Sequence, residues 1–121
     1  MNDAAILIVD DDMDQVSMLA SMLNGLNCNV ETALDGKRAL EILRYQTPAL
    51  VITDMVMPDI SGSQIIQSIR ADERLRGTKI LIVTSFLRYV SEQDKALSDG
   101  VLVKPVQKAQ LQQAVNDLLG T

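Results

Sequence analysis

The chain has 121 residues, 47% of them hydrophobic and 22% charged, which suits one ordinary domain with a buried core and argues against disorder. Eleven basic against sixteen acidic side chains leave a net charge of -5 with no long basic run, so direct binding along a nucleic-acid backbone is not expected. Histidine is absent, which removes the commonest general base, the usual zinc ligand and any self-contained phosphohistidine chemistry.

Only Phe86, Tyr45 and Tyr89 are aromatic, so the core must be aliphatic. Cys28, the lone cysteine, can form no internal disulfide and is expected to be an inert small hydrophobe. No apolar stretch approaches a membrane span or a signal segment, and a reducing cytoplasm fits the cysteine usage.

In chain order, short β-branched runs alternate with longer amphipathic stretches, the pattern of βαβ units around a parallel sheet. The first strand is expected at residues 5–9, followed by a helix whose apolar stripe is Val16, Leu19, Ala20, Leu23 and Leu26. A second strand at 29–32 leads to a helix opened by Asp35 or Gly36 and carrying Ala39, Leu40 and Leu43. The third strand, 50–53, precedes a Pro-containing loop and a helix marked by the capping-box pattern "SGSQ", Ser61 to Gln64, with Ile65, Ile66 and Ile69 inward. Asp72, Glu73, Arg74 and Arg76 read as a solvated helix end and loop.

A fourth strand at 80–84 is followed by the weakest helical pattern, within 89–98, expected to be short or mobile because its apolar positions are sparse. The fifth strand, 101–103, and a helix with Leu111, Ala114, Val115 and Leu118 complete five strands and five helices. "ILIV", "LVIT" and "ILIVT" are apolar without alternation, as strands covered on both faces should be. Met13, Met18, Met22, Met55 and Met57 read as core filling and loop packing.

The polar residues fall at strand ends, where ligands of an open parallel sheet collect. Asp10, Asp11 and Asp12 end the first run, Thr53 and Asp54 the third, Thr84 and Ser85 the fourth, Lys104 and Pro105 the fifth. So many carboxylates at one edge repel one another, but they suit a hard divalent cation with oxygen ligands, magnesium being the natural guest. Lys104 and Thr84 beside them could hold phosphoryl oxygens, and a carboxylate can act as nucleophile by forming an acyl phosphate. Asp12 and Asp14 also suit the N-terminus of the first helix as caps.

"IVDDD", "VITDMVMPDISG", "IVTS" and "VLVKP", in this order and over essentially the whole chain, together resemble the receiver domain of two-component response regulators. The resemblance implies a flavodoxin-like (βα)5 doubly wound α/β fold, strand order 2-1-3-4-5, with residues 1–121 as a single receiver domain. It implies that Asp54 accepts a phosphoryl group from a sensor histidine kinase or a histidine phosphotransfer protein. Mg2+ would be held by Asp11 directly, Asp10 largely through water, Asp54 and the backbone carbonyl of Val56. Thr84, the Ser85 N–H and Lys104 would bind the phosphoryl oxygens, and the Lys104–Pro105 peptide would be cis. Phosphorylation would alter a surface of the fourth helix, fifth strand and fifth helix that a downstream effector reads. The protein would be a switch rather than an enzyme, cytoplasmic, a monomer or weak homodimer, with no direct nucleic-acid or membrane partner.

The sequence departs from the family at several places. Val101 stands where receivers usually carry Tyr or Phe three residues before the lysine, Val106 follows Pro105 where an aromatic is common, and "ALSDGVLVKP" lacks the expected Gly-Ala pair and is shortened. Either Tyr89 or a backbone shift of the fourth helix takes over the coupling to the output face, or the coupling is reduced. Val56 and Phe86, two residues beyond Asp54 and Thr84, cannot orient an attacking water, so a slowly hydrolysing phospho-form is expected. Two alternatives remain open: a receiver that binds partners without phosphorylation, and a phosphatase of the haloacid dehalogenase type using the D-x-D spacing of Asp10 and Asp12.

Overall fold

The computed structural model describes residues 3–120. Five strands, β1 (Ala4–Val9), β2 (Cys28–Ala33), β3 (Leu50–Thr53), β4 (Lys79–Thr84) and β5 (Gly100–Val103), form one sheet in the order β2-β1-β3-β4-β5. Every pairing is parallel. The helices are α1 (Met13–Met22), α2 (Gly36–Tyr45), α3 (Gly62–Ala71), α4 (Glu92–Leu97) and α5 (Lys108–Leu119).

Strand alternation explains why the apolar runs are continuous. Leu7 and Val9 of β1 join Val51, Ile80 and Ile82 in a core beneath α2 and α3. Ile6 and Ile8 point the other way, with Leu50, Ile52, Leu81 and Val83, into a core beneath α1 and α5. Both faces are therefore dry, and Ile6, Leu7, Ile8, Leu50, Ile52, Ile80 and Leu81 are all fully buried. Each such side chain contributes about 1.5–3 kcal/mol relative to exposure.

The helix starts follow their capping residues. Asp12 accepts from the Asp14 and Gln15 amides to open α1, Asp35 accepts from the Arg38 amide to open α2, and Ser61 with Gln64 forms the expected capping box on α3. Cys28 is half-buried beside Leu23 O, and burial, aided by the charge of Asp3, pushes its thiol up, as befits an unreactive side chain.

Three expectations need correction. The first helix ends at Met22 rather than running to Leu26, because Leu23 caps it and Gly25, at φ 93°, turns the chain back toward β2. Met13 is 64% exposed and fills no core, since it begins α1 directly after the exposed Asp11 and Asp12, whereas Met55 and Met57 are buried. Arg74 is not merely solvated: its guanidinium bonds Gln46 O at 3.0 Å, Thr47 Oγ1 at 2.7 Å and Leu43 O, tying a short 3-10 turn (Glu73–Leu75) to the last carbonyls of α2.

The fourth helix is short, six residues, as expected, but both its ends are fixed by polar bonds to α3. At its start the buried Asp94 accepts from Ser63 Oγ at 2.6 Å and from the Ser91 amide at 3.0 Å. At its end Arg70 donates to Leu97 O at 2.8 Å, to Thr78 O at 2.8 Å and to Asp99 at 3.0 Å. No helix among the described residues is long and apolar enough to cross a membrane.

Candidate functional site

The strand order reverses between β1 and β3, and the residues that continue these strands are held by the same ladder. The Asp10 amide donates to Ala33 O at 3.2 Å, the Asp54 amide to Val9 O at 3.0 Å, and the Lys104 amide to Thr84 O at 2.8 Å. Asp10, Asp54, Thr84 and Lys104 thus come to one sheet edge without any of them being close in sequence.

Carboxylate oxygens of Asp10, Asp11 and Asp54 lie within 4.8 Å of one another. Asp10 is 2% exposed; one of its oxygens accepts from the Asp12 amide at 3.0 Å and the other from Lys104 Nζ at 2.9 Å. Asp54 is half-buried: Oδ1 accepts from the Met55 amide at 2.7 Å and Oδ2 from Lys104 Nζ at 3.3 Å. Asp11 is exposed, with its carboxylate turned to the same point. Three oxygens of this hardness, two of them otherwise neutralised only by one ammonium, fit a magnesium-type ion that keeps part of its water.

The electrostatics reflect that crowding. Burial pushes the Asp54 carboxyl above the ordinary aspartate range, and the charge of Asp10 adds to this, against the opposing pull of Lys104 and the Met55 amide. Burial alone would lower the Lys104 ammonium, but its bond to Asp10 and the charges of Asp54 and Asp10 outweigh that and hold it above its ordinary value.

Thr84 is fully buried, and its hydroxyl has no hydrogen-bond partner among the described residues. A buried donor left unpaired costs about 1–3 kcal/mol, so a ligand that supplies an acceptor at this edge would recover that cost. Ser85, next along the chain, is exposed.

The start of the loop after Asp54 is held by close backbone contacts. Thr53 Oγ1 donates to Asp54 O at 2.8 Å, and the Gly62 amide donates to Met55 O at 3.0 Å. A Cβ on Gly62 would stand 2.1 Å from Asp54 O, so only glycine lets α3 start there. Val56, on this loop, is 53% exposed, and Phe86 at the far rim is 48% exposed. Phe86 meets Tyr89 edge to face at 5.6 Å, with the Arg88 guanidinium 4.3 Å above the Phe86 ring. Val101 packs partly buried against the core beneath α3, and Val106 is buried beneath α1 and α5, so neither supplies an aromatic at the rim. The Lys104–Pro105 peptide is cis.

Asp12 lies outside the cluster. Its Oδ1 accepts from the Asp14 and Gln15 amides and caps α1. Sequence reasoning missed the Phe86–Arg88–Tyr89 stack and the close approach at Gly62; the glycine directly after a helix-capping serine was the available signal for the second.

A family model described as the response regulator receiver domain matches residues 6–116. The chemotaxis protein CheY-3 of Vibrio cholerae is 32% identical over 116 residues, 93% of this chain and 89% of that protein. The probable transcriptional regulator ycf27 of Cyanophora paradoxa is 30% identical over 122 residues, but the chain spans only 49% of its length. Among solved structures, the response regulator protein TrrA from Thermotoga maritima, in complex with Mg(2+)-BeF, superposes with a TM-score of 0.87 at 30% identity, covering 98% of this chain and 100% of that one.

Proposed function

The chain belongs to the response regulator receiver domain family of two-component signalling, and from that premise we propose that Asp54 accepts a phosphoryl group from a phosphohistidine on a partner protein. The observation that carries the reading is the meeting of Asp10, Asp11, Asp54 and Lys104 around one point beside the unpartnered Thr84 hydroxyl. Because these 121 residues hold no histidine, the phosphohistidine lies outside them, as on a sensor histidine kinase or histidine phosphotransfer protein.

In this reading a carboxylate oxygen of Asp54 attacks the phosphorus as the N–P bond of the donor breaks, its electron pair returning to the imidazole. Asp10, Asp11, Asp54 and the Val56 carbonyl would hold Mg2+, which supplies charge neutralisation for the transferring oxygens. Lys104, parked between Asp10 and Asp54 before transfer, swings its ammonium to a phosphoryl oxygen. Thr84 donates its hydroxyl and Ser85 its backbone N–H to the others. That the related TrrA is in complex with Mg(2+)-BeF supports the reading that this chain takes Mg2+.

The acyl phosphate then acts as a switch, changing the face of α4, β5 and α5 for a downstream effector, in a monomer or weak homodimer that spans one receiver domain over residues 1–121. Its chemistry is confined to its own charging and discharge.

The test is intact mass after incubation with acetyl phosphate and magnesium, on wild type and Asp54→Asn. A single phosphoryl adduct that requires magnesium and vanishes in the variant is expected. An adduct that persists in Asp54→Asn would move the acceptor elsewhere, and no adduct on wild type would leave a receiver that binds partners without phosphorylation.

A further inference from the structure

We infer that Asp59 is a positioning residue for this pocket: its carboxylate ties the loop that presents Val56 to the N-terminus of α2, and so fixes where the loop backbone stands relative to Asp54. The inference rests on the reading of Asp10, Asp11, Asp54 and the Val56 carbonyl as a magnesium seat.

The loop from Asp54 to Ser61 carries no regular structure, so its backbone must be held by other means. At its near end the Met55 amide donates to Asp54 Oδ1 and the Gly62 amide donates to Met55 O. Met55 and Met57 bury their side chains in the core beneath α2 and α3, leaving Val56 between them turned to solvent. At the far end the support comes from another element. Asp59 Oδ1 accepts from the Gly36 amide at 3.1 Å and Oδ2 from the Lys37 amide at 2.9 Å, 23 and 22 residues away.

That is a carboxylate set across the first free amides of a helix, where the peptide dipoles favour negative charge. The Ile60 amide above all, with those of Lys37 and Gly36, holds the Asp59 carboxyl below its ordinary value. The fit is close: a Cβ on Gly36 would stand 2.6 Å from Ile60 Cβ and 2.9 Å from Ile60 O, so α2 and the loop touch backbone to backbone. Asp35 already caps α2 through the Arg38 amide. The helix has its own cap, and the bond from Asp59 therefore serves to place the loop.

The discriminating experiment compares Asp59→Ala, Asp59→Asn and Asp35→Ala in the full chain. Magnesium affinity is measured by calorimetric titration, thermal stability by circular dichroism, and backbone amide resonances of residues 55–61 by NMR without metal. Asp59→Ala is expected to lower magnesium affinity about tenfold, the low end for groups that orient metal ligands, and to shift the amides of the loop. Asp59→Asn, which keeps one acceptor but turns an NH2 toward the second amide, should lose part of the affinity. Asp35→Ala should lose stability without losing affinity, the split that a merely structural role would not produce.

Wild-type affinity and unmoved loop amides in Asp59→Ala would overturn the inference. So would an equal loss in Asp35→Ala, which would make it a matter of helix stability. If wild type itself binds no magnesium, the magnesium seat fails first, and the amide shifts in the metal-free variants still decide whether Asp59 places the loop.

Discussion

Lys104 Nζ lies 2.9 Å from Asp10 Oδ2, a bond that closes the last strand end onto the first across 94 residues of chain. The same ammonium reaches Asp54 at 3.3 Å, so one cation neutralises two carboxylates that burial would otherwise set against each other. Lys104 is therefore in the first place a structural cation.

Removing it should expose that repulsion. Lys104→Ala leaves the buried Asp10 uncompensated, and breaking a buried pair by deleting one partner costs about 3 kcal/mol. Magnesium replaces the missing charge, so the ion should raise the melting temperature of Lys104→Ala by more than that of wild type. Thermal unfolding with and without magnesium checks this. Equal shifts in the two proteins would mean that the ion does not sit where the lysine points.

The buried Asp94 gives the fold an acid limit. Burial works against its charge, yet the bonds from Ser63 and Ser91 outweigh burial and hold its carboxyl below the ordinary value of 3.8. A carboxylate depressed in the folded state binds fewer protons there than in the unfolded chain, so its contribution is complete above the unfolded value and lost as pH falls through the folded one. Asp94→Ala should cost about 2 kcal/mol at pH 7. The gap between the two proteins in urea denaturation should close below about pH 4. A gap that stayed constant to lower pH would show that the charge of Asp94 does not hold α4 to α3.

Gly62 should tolerate no side chain. Alanine is the better helix former by about 1 kcal/mol, but its Cβ would stand 2.1 Å from Asp54 O and 2.8 Å from Met55 Cα, both backbone atoms with nowhere to go. Gly62→Ala should lose about 2 kcal/mol net, within the range for overpacking, and should slow formation of the phosphoryl adduct because Asp54 moves with its carbonyl. Denaturant unfolding and timed intact mass report the two effects separately.

The elements most legible in the sequence were those set by local chemistry. β1, β3 and β4 announced themselves as unbroken apolar runs, and Asp12, Asp35 and Ser61 each cap the helix that their position suggested. The site was legible as a set of strand-end residues because a parallel sheet gathers such ends. What escaped was anything that depends on partners distant in sequence. Arg74 looks like a solvated charge until the Gln46 and Leu43 carbonyls at the end of α2 are placed beside it, 28 and 31 residues earlier. Asp59 looks like a turn residue until the α2 amides arrive. The overlong first helix is a local error: Leu26 keeps helical spacing, but Asn24 and Gly25 before it form a turn, and the spacing coincides by chance.

The rim of the pocket is expected to set the lifetime of the proposed phospho-form. Val56 and Phe86, both about half exposed, flank the loop and strand end that would enclose the phosphoryl group, and neither carries a group that can hold or deprotonate water. Phe86 is further braced by Tyr89 and by Arg88 above its ring, which keeps an apolar face at the rim. Purified phosphoprotein in magnesium should therefore lose phosphate slowly. Replacing Val56 with Asn and Phe86 with Gln together should speed the loss by about tenfold, a modest share of what a placed acid or base contributes. Decay of the adduct followed by intact mass measures both rates, and rapid loss from wild type would show that water is oriented by some other group.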